Sequence, residues 1–245
     1  MSVFASLVAH LADLLQPLFH ASATAAAIIL FTALVRLAVH PLSRAAARGQ
    51  KAKARLSPQI AELRTKHAKN PDRMQKALTE LYAEEKVSPL SGCLPSLLQL
   101  PAFFLMYHLF SSSRIGGEAN GLLSHTLFAA PLGGRWSDAL AHGGVFGGAG
   151  AVYVVLFAIV AAVATYNYLR TKRQLAAAPV PQEGMPGMGA MTRIMPLMSF
   201  FTLLTVAWVP LAAALYVVTS TTWTAVERAF LYRDMPVAGA LATAG

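Results

Sequence analysis

Charge is scarce in this chain. Only 13% of its 245 residues are charged, against roughly a quarter in a soluble globular domain. Hydrophobic residues make up 56%, and mean hydropathy is +0.51. An ordinary soluble domain is thereby excluded: the apolar residues fall in blocks long enough to cross a bilayer, and bilayer rules govern the fold. Cysteine occurs once, at Cys93, so no internal disulfide can form, and Cys93 reads as a small packing residue. No Cys/His cluster has metal-ligand spacing, so neither a metal nor another cofactor is expected. A Gly-rich loop ending in Gly-Lys-Ser/Thr is also missing, which excludes a Walker-type nucleotide site. Residues 1–19 hold no Lys or Arg, and so lack the basic start of an ordinary signal peptide. Acidic residues are missing from the interior of every long apolar block.

What is present sets an order along the chain. Val3, Phe4, Leu7, Val8, Leu11, Leu14, Leu15, Leu18 and Phe19 recur at helical spacing. With His10 and Asp13 on the polar side, residues 1–20 read as an interfacial amphipathic helix that Pro17 should end or bend. Membrane spans are expected at 21–43, 93–111 and 146–169, and a final apolar block covers 194–227. Taken as one helix, Ile194 to Val226 would be roughly 50 Å long, against a hydrocarbon core of ~30 Å. Arg193 precedes the block and Arg228 and Arg233 follow it, so it should cross twice, turning at Pro210. That makes five spans. Between Pro41 and Pro89 eleven basic residues face five acidic ones, for a net +6. Positive-inside then places the N-terminus outside, the basic block 44–92 in the cytosol, the loop 112–145 outside, and the linker 170–193 and tail 228–245 in the cytosol. Met185, Met188 and Met191 of the linker read as a flexible loop rather than a soft-metal site.

The basic block carries two apolar stripes, Leu56, Ile60, Leu63 and His67, then Met74, Leu78, Leu81 and Glu85. Asn70 suits a helix cap and Pro71 the first helical position. An antiparallel helical hairpin follows, with basic outer faces. Arg48, Lys51, Lys53, Arg55, Arg73 and Lys76 are candidates for docking anionic lipid heads, ribosomal RNA or a partner protein, or for simply setting topology. No nucleic-acid motif is present, so specific nucleic-acid recognition is not expected.

The residue that demands explanation is Arg36, inside "FTALVRLAVHPL" and ~12 Å deeper along a helix than Arg44. An arginine near the bilayer centre costs about 2.5–3.5 kcal/mol on insertion scales. It must pair, snorkel or face water, and the only acid near the expected spans is Glu227, at the edge of the last one. Snorkelling is one reading, and a water-filled cationic cavity between helices is the other. Thr32 shares its helix face. Gln99, Thr165, Tyr166, Asn167, Tyr216, Thr219, Ser220, Thr221 and Trp223 are further polar candidates, each weak alone because a lone Thr or Ser often bonds its own backbone.

Three stretches resemble the YidC/Oxa/Alb membrane-protein insertase family: "VRLAVHPL", the run "LSPQIAELRTKHAKNPDRMQKALTELYAEEKVSPLSGCLPSLLQLPAFFLMYHLF" and "RIMPLMSFF". The similarity runs from about residue 25 to 110, and more loosely from 193 to 230. "SPLSGCLPSLLQLP" is its most specific part, with Ser88 where the family often has Asn. The resemblance implies an all-α polytopic membrane protein of five transmembrane helices around a hydrophilic groove. That groove would be open to the cytosol and lipid and closed to the outside, with the helical hairpin and the N-terminal interfacial helix attached. It implies a substrate groove built from Arg36, Thr32, Gln99 and Tyr216, to which Ser220 and Trp223 are added from the last span. Ala212, Val217 and Thr221 depart from the family's last-span pattern. The large extracytoplasmic domain of many members and a long basic tail are expected to be missing, so the short form is expected. The implied function is an insertase or chaperone of the bacterial cell membrane that passes polar client flanks through the groove, without bond chemistry. Nascent membrane-protein clients are the implied partners, with the ribosome, a Sec translocon and anionic lipids as further candidates. The alternative is a small-molecule or anion transporter using Arg36 as its substrate site, although no internal repeat supports it.

Overall fold

The computed structural model describes residues 2–68, 70–85, 87, 94–176 and 194–233, without the side chains of residues 2, 94–99, 102, 118 and 176. Cys93, Ser88 and the methionines 185, 188 and 191 lie outside the described residues. In chain order the helices are α1 (Ser2–Phe19), α2 (Ala23–Arg55), α3 (Ser57–Lys66), α4 (Pro71–Glu84), α5 (Leu94–Ser111), α6 (Trp136–Ala141), α7 (Gly148–Ala176), α8 (Phe201–Trp208) and α9 (Leu211–Leu231). By length and composition, the helical stretches Val3–Arg55 and Gly148–Leu175 each hold a helix able to cross a membrane. The chain divides into two compact units.

The first unit takes residues 1–39, 100–168 and 197–226. Its centre is the start of α9. Every residue from Leu211 to Val218 is buried, as a helix apolar on all sides requires. Ala212, Ala213 and Ala214 let neighbouring backbones come close. Around them pack Ile28 and Phe31 of α2, Met106, Leu109 and Phe110 of α5, and Tyr153, Leu156 and Val160 of α7. From α1, Val8 is fully buried and Phe4, Leu11 and Leu15 pack against this core, while Val3, Leu7, Leu14 and Leu18 form a second, exposed apolar stripe. Pro17 does not stop α1, which runs on to Phe19 and passes through a 3₁₀ turn, His20–Ser22, into α2.

Two features differ from the sequence reading. Residues 112–145 are not a plain loop. They hold two small antiparallel hairpins, Arg114–Ile115 with Glu118–Ala119 and Thr126–Leu127 with Ala130–Pro131, together with a 3₁₀ turn and α6. The register pairs Arg114 with Ala119 and Thr126 with Pro131. The reason is local polar chemistry. Buried Asn120 donates from Nδ2 to the carbonyls of Leu109 (2.9 Å) and Ser112 (3.0 Å), and its Oδ1 accepts from the Leu122 amide. The two-residue turns need a positive φ. Gly116 and Gly117 supply it in the first, and Phe128 takes φ 52° in the second. The other difference lies in the last apolar block. Its first half is a 3₁₀ turn, Leu197–Phe200, followed by the eight residues of α8. At ~2 Å and ~1.5 Å per residue these rise only about 20 Å. The chain breaks at Val209, extended at ψ 157° as a residue before proline should be, and α9 starts after Pro210.

The segment 131–134 reaches the start of α9. The amides of Leu211 and Ala212, orphan donors of a first helical turn, donate to the carbonyls of Gly134 and Leu132, both at 2.9 Å. The Tyr153 hydroxyl donates to the same Gly134 carbonyl at 2.8 Å.

The second unit takes residues 40–99, 169–196 and 227–245. The sequence reading assigned the whole basic block to a hairpin. In the structure its first twelve residues, 44–55, extend α2 instead. Pro41 removes one backbone donor without ending the helix. The hairpin is α3 against α4, with Leu56 and Ile60 buried, Met74, Leu78 and Leu81 half-buried, and Glu85 exposed. Asn70 caps α4 by accepting from the Arg73 amide at 3.0 Å, ahead of Pro71.

Candidate functional site

Arg36 lies on the first-unit part of α2 and is half-buried. Its guanidinium reaches across to α9. Nε donates to Ser220 Oγ at 3.0 Å, and a terminal nitrogen donates to the same oxygen. Ser220 is 3% exposed. The arginine is therefore engaged by protein, and 184 positions of sequence separate it from that partner. A hydroxyl bonded to a guanidinium spends its lone pairs on the charge, which lowers the cost of holding that charge away from bulk water.

The remaining expected site residues divide. Tyr216 is one helical turn before Ser220 on α9, within electrostatic reach of Arg36. Its ring packs against Phe103 (5.9 Å between centroids) and Phe110 (6.0 Å) of α5. Trp223 is three residues after Ser220, on the same stripe of α9. Its indole Nε1 is buried with no hydrogen-bond partner among the described residues. Thr32 is buried at 1% exposure, but its hydroxyl bonds the Ile28 carbonyl of its own helix at 2.7 Å. Thr221 bonds the Val217 carbonyl likewise. Gln99 is part of α5, and its side chain is outside the described set. Thr165 bonds its own helix at Ala161. So the structure joins Arg36, Ser220 and Tyr216 and turns Thr32, Thr165 and Thr221 back on their own backbones.

Of the basic candidates, Arg48, Lys53, Arg55, Arg73 and Lys76 are exposed and Lys51 is half-buried. Arg48, Lys51, Lys53 and Arg55 ride on the end of α2, and Arg73 and Lys76 on α4. Sequence reasoning gave no role to a further pair in this unit. Glu227, with its side chain 9% exposed, meets His40 Nδ1 through its Oε1 at 2.5 Å. Near it, the Arg170 guanidinium sits 4.8 Å from the centre of the Tyr232 ring. Burial raises the Tyr232 hydroxyl above its ordinary pKa, against the opposing pull of Arg228 and Arg170. The signal for these contacts was thin: Glu227 ends a block that holds no other acid.

A family model described as the 60Kd inner membrane protein matches residues 15–238. The chain belongs to this family. That is the YidC/Oxa/Alb insertase family of the sequence resemblance. Relatives include the membrane protein insertase YidC of Chlorobium limicola, 43% identical over 86 residues, which is 35% of this chain and 15% of that protein. The membrane protein insertase YidC of Clostridium perfringens is 42% identical over 84 residues, 34% of this chain and 35% of that protein. That of Chloroherpeton thalassium is 35% identical over 94 residues, 38% of this chain and 16% of that protein. The matched stretches thus span about a third or less of these relatives' length. As a family member with long apolar helices, the chain is a helical membrane protein.

Proposed function

We propose that this protein is a membrane protein insertase of the bacterial cell membrane, and that Arg36 is the charged centre of its client path. Five spans carry the chain across the bilayer: 21–43, 93–111, 146–169 and two short ones within 194–227. The N-terminus is outside and the basic segment and C-terminus are in the cytosol. Arg36, Ser220, Tyr216 and Trp223 form a polar strip between α2 and α9, with Thr32 one helical turn before Arg36. A client's polar flank is partly solvated there while its apolar helix leaves into lipid. Thr32 acts through its backbone-bonded position rather than as a free donor. Arg48, Lys51, Lys53, Arg55, Arg73 and Lys76 dock anionic lipid heads or a ribosome or translocon partner.

The observation that carries this reading is the Arg36–Ser220 contact. The Arg36 Nε donates at 3.0 Å to the hydroxyl of Ser220 on another helix, which fixes a guanidinium between α2 and α9. A cation fixed there attracts an acidic or carbonyl-rich segment. The buried indole N–H of Trp223 on the same stripe supports it, since an unmet buried donor favours any acceptor a guest brings. Short final spans support it too, because a thin barrier lowers the cost of passing a polar flank. No bond is made or broken, so energy comes from client partitioning and the membrane potential.

The test is insertion into proteoliposomes holding the purified protein alone, with a client bearing a short acidic extracytoplasmic tail. Arg36→Ala should slow insertion about tenfold, equivalent to ~1.4 kcal/mol of lost stabilisation. Unchanged insertion would reject Arg36 as the charged centre. Wild-type protein that inserts nothing would reject the insertase reading.

A further inference from the structure

We propose that the tip of the second small hairpin, Phe128–Ala129, is a bilayer anchor, with the Phe128 ring seated in the lipid interface where α2 and α7 begin. The inference rests on the reading that α2 and α7 cross the bilayer. Phe128 is 77% exposed and sits at φ 52°. A bulky residue in that left-handed region is an outlier, and glycine would fit there without strain. Among the described residues only His20 shares this condition. His20 opens the 3₁₀ turn that leads into α2.

Beyond the pairing of its own strands, the tip makes one hydrogen bond and one close approach, each to the start of an expected span. The Phe128 amide donates to Ser22 Oγ at 3.4 Å, and Ser22 immediately precedes α2. Ala129 lies directly against Gly148, the first residue of α7: a Cβ added at Gly148 would stand 2.8 Å from the Ala129 Cβ. The ends of bilayer-crossing helices mark the depth of the interface, and this tip is pinned to two of them. Phe19 and Leu18, just before His20, are also exposed large apolar residues on the same approach. Phe, with Trp and Leu, is a residue whose apolar face buries at the boundary of headgroups and acyl chains. The first hairpin gives the contrast, since its tip is Gly116–Gly117 and carries no side chain to insert.

The test uses the full chain with Cys93→Ser, reconstituted in liposomes and carrying one nitroxide label. Labels at Phe128→Cys, at Val155→Cys (an exposed position within α7) and at Glu80→Cys (exposed on α4) are compared by collision with oxygen and with a water-soluble nickel chelate. The expected result is a lipid signature at 155, an aqueous one at 80, and at 128 oxygen access exceeding nickel access several-fold. Lipid at 155 with an aqueous signature at 128 overturns the anchor alone, whereas an aqueous signature at 155 overturns the spanning reading and the anchor with it. Phe128→Gly separates anchoring from folding. Its Tm in detergent should not fall, because glycine relieves the left-handed strain, and a fall would mean that the ring serves the fold and would overturn the assignment.

Discussion

The contact between Arg36 and Ser220 can be weighed by a double-mutant cycle of Arg36→Ala, Ser220→Ala and the pair. A hydrogen bond to a charged group contributes about 1.5–3 kcal/mol in soluble proteins. Cycles on hydrogen bonds between membrane helices average about 0.6 kcal/mol and reach about 1.7. Ser220 is buried, which argues for the upper figures, while half-buried Arg36 keeps some access to other partners, which argues for the lower. A coupling energy of about 1–2 kcal/mol is therefore expected from unfolding in mixed micelles. Coupling below about 0.5 kcal/mol, the ordinary error of additivity, would refute the claim that this bond joins α2 to α9. The same variants separate the bond from the charge. Ser220→Ala keeps the guanidinium, so it should lower stability yet slow insertion of an acidic-tailed client less than Arg36→Ala does. Arg36→Lys keeps a point charge without the planar fork and should retain part of the activity. If Ser220→Ala stops insertion and Arg36→Ala does not, the hydroxyl rather than the cation serves the client, and the electrostatic argument fails.

Other perturbations follow from single contacts. Asn120→Ala removes two donors and an acceptor from a buried position and should destabilise the protein by about 2–4 kcal/mol, read as a lowered Tm in detergent. Gly148→Ala pushes a methyl to 2.8 Å from Ala129 and should cost about 1–3 kcal/mol by the same assay. Glu227→Ala leaves His40 Nδ1 without this partner. A hydrogen bond to a charged group contributes about 1.5–3 kcal/mol, and because His40 is 35% exposed the expected loss is at the low end, about 1–2 kcal/mol. Trp223→Phe keeps one aromatic ring, loses some volume and deletes an indole N–H that is buried without a partner among the described residues, two changes that oppose each other in stability. It should leave Tm unchanged and slow insertion of acidic-tailed clients more than neutral-tailed ones.

Sequence legibility follows the range of each interaction. The helical stripes, the Asn70–Pro71 cap and the break at Pro210 are signals a few residues long, and each has a local physical cause that stands in the chain itself. Pro41 shows where such signals mislead. Proline is a poor helix residue, yet α2 passes through it to Arg55, because losing one donor does not outweigh the bonds on either side. Residues 112–145 look like a plain Gly/Ser/Ala-rich loop because their order comes from carbonyls and amides, which composition does not display: Gly134 and Leu132 matter through backbone oxygens that meet the first turn of α9.

Arg36 is the sharpest case. Its cost is readable from one window of sequence, and that cost alone marks it as a residue needing a partner. The partner is not readable, because Ser220 stands 184 positions away among Thr219, Thr221, Thr222 and Thr224, and nothing local distinguishes it. The hydroxyls of Thr221 and Thr224 bond carbonyls of their own helix, that of Thr222 is buried without a hydrogen-bond partner among the described residues, and that of Ser220 meets the Arg36 guanidinium. Removing the hydroxyl by Ser220→Ala should not pass the coupling to the hydroxyl that Thr221 already carries, since position 221 points about 100° away around the helix. Coupling to Arg36 retained in that variant would mean that proximity, and not the helical face, selects the partner.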